Sequence, residues 1–287
     1  MKKIGFIGLG IMGESMCANI LKKRDEKVIV FDIKEEKIKR LVQLGAIAAS
    51  SAKEVGEKAD VIISMVPKSE HVKAVGQELL PVLSANKIWI DMSTIKPAVS
   101  KELAAKVRET GAVMIDAPVV KSKSAAIDGT LGIYVGGDKK SYQKIEDILL
   151  CMGQDIIYLG DNGAGLVMKI CHNMLVGQIQ NAVNEMITLA NKANIEIDDF
   201  ITAISYGGGQ NFYLDTKGKN IKQQDFTTAF SIKNMSKDVS IAKDLIEEFN
   251  LTLPGTEIVH TIYQEAMEAN YGKEDFSATI KVVQNRN

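Results

Sequence analysis

Residues 3–13 read KIGFIGLGIMG, and this stretch decides the fold. Its apolar run has the character of a buried strand, and the segment from Gly13 to Lys23 has helical apolar spacing. Gly8, Gly10 and Gly13 stand where one gives way to the other. In a strand–turn–helix setting each has its own task. Gly8 permits a tight turn, Gly10 lets the backbone approach a pyrophosphate, and Gly13 lets the helix pack close to the sheet. The phosphates would meet the N–H groups and the positive dipole end of the new helix. Gly8, Leu9, Gly10, Ile11, Met12 and Gly13 are therefore predicted to line a dinucleotide site.

A second element agrees. The next apolar run, VIVFD, ends in Asp32, 19 residues after Gly13. A carboxylate there accepts hydrogen bonds from the adenosine ribose hydroxyls and repels a 2′-phosphate, which points to NAD(H) over NADP(H). Lys34 and Lys37 pull the other way, because a cation beside Asp32 favours the extra phosphate.

Outward from this motif, apolar runs alternate with amphipathic ones. KIGFIG (3–8), KVIVFD (27–32), VIISMV (61–66), KIWIDM (87–92), AVMIDAP (112–118) and GTLGIYVGG (129–137) read as strands. ILLCMG (148–153) and IIYLG (156–160) read as closing strands, with one more helix around residues 142–150. Helical patterns over 13–23, 35–44, 69–80 and 98–110 fill the gaps, which predicts a mainly parallel sheet with right-handed crossovers. From Gly165 the texture changes to about eight turns of proline-free helical spacing, and helical patterns continue to the end. The expectation is an α/β Rossmann-type domain over residues 1–163. An all-α domain over 164–287, opened by a long helix, would follow it.

Composition narrows the function. With 35 basic against 36 acidic residues the net charge is −1, so no basic field exists to grip nucleic acid. No apolar run reaches the roughly 18 residues that span a bilayer, and the N-terminal run lacks a signal-peptide pattern. A cytoplasmic protein is expected. Cys17, Cys151 and Cys171 are far apart, form no disulfide or metal pattern, and read as small buried apolar residues. His71, His172 and His260 are scattered too, so no metal site is expected.

In such sheets ligands bind beyond the carboxyl ends of the strands. Met65-Val66-Pro67 and Met92-Ser93-Thr94 lie there, with Ala117–Ser122 beyond the next strand. Ser93 and Thr94 have two uses, bonding the nicotinamide end of the cofactor or capping the helix that follows. Lys169 and Asn173, four residues apart, share one face of the long helix. Lys169 has apolar sequence neighbours, which suits either a desolvated proton donor and acceptor or a surface lysine with its stem laid along apolar surface.

Together these segments resemble the β-hydroxyacid dehydrogenase family, which includes 3-hydroxyisobutyrate dehydrogenases, tartronate semialdehyde reductases and sulfolactaldehyde reductases. FIGLGIMGESMCANI matches the family's N-terminal signature, MSTI its cofactor-side turn, GAGLVMKICHN its catalytic helix and FSIKNMSKD its C-terminal element. The resemblance spans essentially the whole chain. It implies that Lys169 is the catalytic lysine, that Asn173 binds substrate, and that Lys237 closes over nicotinamide and substrate. It also implies a homodimer or homotetramer. Where most members read D-A-P-V-S-G-G, this chain has Asp116-Ala117-Pro118-Val119-Val120-Lys121-Ser122. The sulfolactaldehyde reductase branch resembles this departure, so Lys121 and Ser122 are expected to hold a sulfonate or carboxylate, with Lys123 as a competing cation. The expected reaction interconverts a short anionic aldehyde and its primary alcohol. The alternatives are a 3-hydroxyisobutyrate or 2-(hydroxymethyl)glutarate type dehydrogenase running toward oxidation, and a non-catalytic NAD-sensing protein.

Overall fold

The computed structural model describes residues 2–286. The chain divides into two compact units, Met1–Lys169 and Ile170–Asn287. The first unit opens β1 (Ile4–Ile7), α1 (Ile11–Lys23), β2 (Val28–Phe31), α2 (Glu35–Gln43), β3 (Ile47–Ala48), α3 (Ala52–Lys58) and β4 (Val61–Ser64). It continues α4 (Ser69–Leu79), β5 (Ile88–Asp91), α5 (Pro97–Glu109), β6 (Val113–Asp116), β7 (Val119–Val120) and α6 (Lys123–Asp128). After these come β8 (Leu131–Gly136), α7 (Lys139–Gln143), α8 (Glu146–Leu149) and β9 (Gly153–Gly160).

These strands form one sheet in the order β3-β2-β1-β4-β5-β6-β8-β7, with β9 on β8. Strands β1 to β6 run parallel, β8 runs against β6 and β7, and β9 runs parallel to β8. Alternate side chains go to opposite faces, because the strand period is two. Ile4, Phe6, Val28, Val30 and Ile63 join one buried cluster, whereas Ile7, Ile29, Ile62 and Trp89 join another. Both faces are covered, as the nearly continuous apolar runs require, and each large side chain so buried contributes about 1.5–3 kcal/mol. β1 pairs with both β2 and β4, so the winding direction reverses there. The crevice outside their carboxyl ends is where this topology takes ligands.

Three sequence expectations need correction. ILLCMG is not a strand: Ile148 and Leu149 end α8, and Cys151 and Met152 turn into β9. An apolar run of that length has no period to separate a buried helix end from a strand. The helix expected around 142–150 is two short ones, α7 and α8. Cys171 is exposed, while Cys17 and Cys151 are buried.

The second unit is helical. α9 (Ala164–Lys192) enters it from the first unit, and α10 (Ile197–Ile204), α11 (Phe212–Gln223), α12 (Ile232–Glu248), α13 (Pro254–Glu268) and α14 (Ile280–Asn285) follow. Val183, Ile187, Leu214, Ile221 and Ile280 belong to one of its buried clusters. SYGGGQ (205–210) forms turns directly after α10. The sequence boundary at residue 163 marks the start of α9, and the units divide inside that helix because its first turn is held by the sheet. Among the described residues no helix is long and apolar enough to cross a membrane, and no His/Cys/Asp/Glu cluster fits a metal ion.

Candidate active site

The glycine-rich turn is built as its spacing demands. Gly8 has φ +91°, and a Cβ there would lie 2.3 Å from the Met65 carbonyl oxygen. A Cβ on Gly13 would lie 2.1 Å from the Gly8 carbonyl oxygen and 3.2 Å from the Phe6 ring. Gly10 is different: a Cβ there would meet nothing within 4 Å. Packing thus explains Gly8 and Gly13 but not Gly10, whose bare backbone faces open space at the N-terminus of α1. No side chain caps that terminus. Leu9 is fully buried, Met12 is partly buried and Ile11 is 68% exposed, so the turn is anchored from below and open above. Asp32 follows β2, and its carboxylate accepts from Leu9 N–H at 2.6 Å and Lys34 N–H at 2.8 Å. The acid is thereby fixed beside the turn.

Across the reversal, Met65-Val66-Pro67 follows β4. Val66 N–H donates to Ser93 Oγ at 2.9 Å, and Ser93 Oγ donates to Asp91 Oδ1 at 2.7 Å. Ser64 Oγ donates to the same oxygen and accepts from Trp89 Nε1. Asp91 Oδ2 is buried without a hydrogen-bond partner. Burial pushes the Asp91 carboxyl up to about 7 despite these donors, and the neighbouring Asp116 charge adds to the rise. Lys96, not Ser93 or Thr94, occupies the N-cap of α5, and it makes no side-chain cap bond. Ser93 is instead turned inward to tie the β4 turn to β5, and Thr94 remains partly buried beside it.

Asp116 ends β6 and holds the start of α9. Gly163 N–H donates to Oδ1 at 2.6 Å and Leu166 N–H to Oδ2 at 3.0 Å. Burial raises this carboxyl to about 6 although the backbone donors favour its ionised form. Gly165 is there for close approach, since a Cβ would lie 2.4 Å from the Tyr134 carbonyl oxygen. One turn on, Lys169 is partly buried.

In the helical unit, buried Asn173 donates from Nδ2 to Asp238 Oδ2 at 2.6 Å. Lys237 Nζ lies 2.9 Å from Asp238 Oδ1, an ion-pair contact outside hydrogen-bond geometry. α9 and α12 thus bring two distant sequence motifs into one polar cluster.

The segment after β6, expected to meet the substrate's acid group, places its cation on a partner within the chain. Lys121 has φ +81°, a left-handed backbone that favours glycine. Its ammonium donates to the Thr130 carbonyl at 2.7 Å and pairs with Asp155 at 2.6 Å. Sequence reading gives this cation to the substrate's acid group, yet here Asp155 has taken it. The β7–β8–β9 register is the reason: Val120 pairs with Gly132, and Gly132 with Asp155. Exposed Ser122 shares a 2.6 Å hydrogen bond with Ser124 through their hydroxyls, and Lys123 is exposed at the start of α6.

Residues 3–160 match the family model described as the NAD binding domain of 6-phosphogluconate dehydrogenase. Residues 163–283 match that described as the NAD-binding of NADP-dependent 3-hydroxyisobutyrate dehydrogenase. The chain belongs to the β-hydroxyacid dehydrogenase family. It is 34% identical to a 2-(hydroxymethyl)glutarate dehydrogenase of Eubacterium barkeri, over 98% of this chain and 94% of the relative. An NAD-dependent L-serine dehydrogenase of Pseudomonas aeruginosa is 31% identical, over 98% of both chains. A solved 3-hydroxyisobutyrate dehydrogenase of Mycobacterium tuberculosis with L-serine superposes with a TM-score of 0.93 at 30% identity, over 99% of both chains.

As a member of this family the chain is an NAD-dependent dehydrogenase acting on CH–OH groups, with NAD(H) as its cofactor. The open backbone at Gly10 and the fixed Asp32 fit that group. Asp91, Asp116 and Asp238 are the polar residues that sequence reading passes over. IWID and VMID carried a signal in that each ends a buried apolar strand in a carboxylate. Asp238 lies in the FSIKNMSKD element, but its bond to Asn173, 65 positions away, left no local signal.

Proposed function

We propose that this dehydrogenase interconverts a short anionic aldehyde, carrying a carboxylate or sulfonate, and its primary alcohol, with NAD(H) preferred. NAD(H), when bound, supplies or accepts the hydride. Gly8 to Gly13 and Asp32 would hold its adenosine and pyrophosphate, and Met65, Val66, Pro67 and Thr94 its nicotinamide half. Lys169 donates a proton to the carbonyl oxygen during reduction and takes it back from the alcohol in oxidation. Asn173 orients that oxygen, and Lys237 closes over the reacting end. Ser122 and Lys121 take the acid group.

The observation that carries this reading is the Asn173–Asp238 bond. A buried amide held at 2.6 Å by a carboxylate is pre-oriented, one helical turn from a partly buried lysine on the same continuous helix. Pre-orientation of that kind is what a proton-transfer site needs and a mere NAD-binding scaffold does not. A second reading is oxidation of a hydroxymethyl acid, and for either reading the acid group has to compete with Asp155 for Lys121. The similar proteins' names point to acids bearing a hydroxymethyl group: 2-(hydroxymethyl)glutarate, L-serine and 3-hydroxyisobutyrate.

The test is initial rates with NADH and NADPH on C3–C5 aldehydes bearing carboxylate or sulfonate, alongside NAD-linked oxidation of the matching hydroxymethyl acids. Fast reduction of one anionic aldehyde supports the first reading. Turnover confined to hydroxymethyl acids supports the second, and no turnover with either group sinks both. A homodimer or homotetramer working in the cytoplasm belongs to the same proposal, supported by exposed Leu175, Met186 and Leu189 on α9. Sedimentation of the purified chain checks the assembly.

A further inference from the structure

NADP(H) differs from NAD(H) by one phosphate on the adenosine ribose, and two cations stand close to where that phosphate would fall. Lys34 N–H bonds Asp32, and Lys37 N–H bonds the Lys34 carbonyl at 3.0 Å, so Lys37 sits just past the ribose-binding acid. Arg40 follows on the same helix, α2. Left to themselves, these two charges would draw a phosphate and work against Asp32. They are not left to themselves. Glu14 on α1 reaches Lys37 Nζ at 3.1 Å and Arg40 Nη1 at 3.4 Å. Glu14 N–H bonds the Gly10 carbonyl at 3.0 Å, which fixes it one turn from the phosphate-binding glycines.

We propose that Glu14 is a specificity-determining residue, holding Lys37 and Arg40 in ion pairs so that neither is free to replace the lost water of a 2′-phosphate. Two devices then exclude NADP(H). Asp32 repels the phosphate, and Glu14 occupies the charges that would bind it. Burial pushes the Glu14 carboxyl up, but its bonds to Lys37 and Arg40 outweigh that and hold it below the ordinary value. It is therefore ionised at neutral pH, with its side chain 26% exposed. An ion pair so placed is moderately screened and strong enough to set a preference rather than the fold. The inference rests on the NAD preference proposed above.

The test titrates the full-length chain, free of cofactor, with adenosine 2′,5′-bisphosphate and with 5′-AMP by calorimetry at low salt. Wild type is expected to favour 5′-AMP. Glu14→Gln should tighten the bisphosphate about tenfold, equal to about 1.4 kcal/mol, and leave 5′-AMP within about twofold. Adding both Lys37→Ala and Arg40→Ala to Glu14→Gln should remove the gain, while Lys37→Ala alone should change nothing because that lysine is already engaged. Unchanged bisphosphate affinity in Glu14→Gln, with the wild-type preference intact, overturns the role of Glu14 alone. A wild type that binds the bisphosphate as tightly as 5′-AMP overturns the NAD preference and this inference with it. Weaker bisphosphate binding in Lys37→Ala alone shows that lysine already available, and that also overturns the inference.

Discussion

Asp91 stands opposite Asp116 in the register of β5 and β6, and neither has any exposed surface. Each ends a parallel strand, and each ties down a segment used by the site. Asp91 reaches the β4 turn through Ser93, and Asp116 holds the first turn of α9. Burial, which outweighs the donors on each carboxyl and is helped at Asp91 by the Asp116 charge, keeps protons on them at a pH where exposed carboxylates have lost theirs.

A pH dependence of stability follows. With carboxyls raised to about 7 and about 6, the native state binds more protons than the unfolded chain between about pH 4 and pH 7. Stability contributed by these groups therefore falls as pH rises through that window, by up to about 1.4 kcal/mol per pH unit for each group. Asp91→Asn mimics the protonated form and is expected to flatten the fall. Urea melts of both proteins at pH 5 and pH 8 measure it. A difference between them that does not grow in the variant's favour with pH shows Asp91 ionised in the native state.

The glycines of the opening motif separate packing from binding. Gly13→Ala places a methyl 2.1 Å from a carbonyl oxygen and is expected to cost about 2 kcal/mol or more. Gly10→Ala meets nothing within 4 Å and is expected to cost at most about 1 kcal/mol, as a change of N-cap. Its NADH affinity should nevertheless fall about tenfold or more, because the methyl occupies the space a pyrophosphate needs. Thermal melts and NADH fluorescence titration report the two effects. A Gly10→Ala protein that binds NADH normally removes the phosphate role.

This motif was legible because its function is local: strand, turn and helix are consecutive, and each glycine acts within a few residues. α3 was not legible, since AKEVGEK is short, polar and interrupted by Gly56. Packing supports it, with a Cβ on Gly56 only 2.7 Å from Leu79 and one on Gly5 2.3 Å from Val55. The same limit hid the fate of Lys121. Sequence gives its charge, but its Asp155 partner arrives through a register across three strands. Lys169 and Asn173 could be paired by helical spacing alone, whereas the acid that locks Asn173 comes from another helix.

Lys121 and Asp155 allow a direct test of the acid-binding loop. Asp155→Asn releases the ammonium, so KM for an anionic substrate should fall severalfold, with kcat little changed, if Lys121 meets the acid group. Lys121→Gly removes that charge and relieves a left-handed backbone, which should stabilise the fold by about 1 kcal/mol while raising KM. Unchanged KM in both variants removes Lys121 from substrate binding and leaves Ser122 as the loop's contact.

Lys169 and Asp238 should fail in different ways. Lys169→Ala is expected to lower kcat by about 10²–10⁴, the usual worth of a positioned acid–base group, with NADH binding retained. Lys169→Arg should do little better, because a guanidinium keeps its proton near neutrality. Asp238→Asn keeps the shape but replaces the carboxylate that accepts from Asn173 and faces the Lys237 charge with a neutral amide. Asn173 then loses its fixed orientation. The expected loss is shared between kcat and KM and is smaller than for Lys169→Ala, because Asp238 acts through Asn173 rather than on the reacting oxygen. Steady-state kinetics on the best substrate from the panel, with NADH binding as a control, distinguish the two. An Asp238→Asn enzyme with wild-type kcat and KM means Asn173 needs no anchor. A Lys169→Ala enzyme with wild-type kcat moves the proton donor elsewhere.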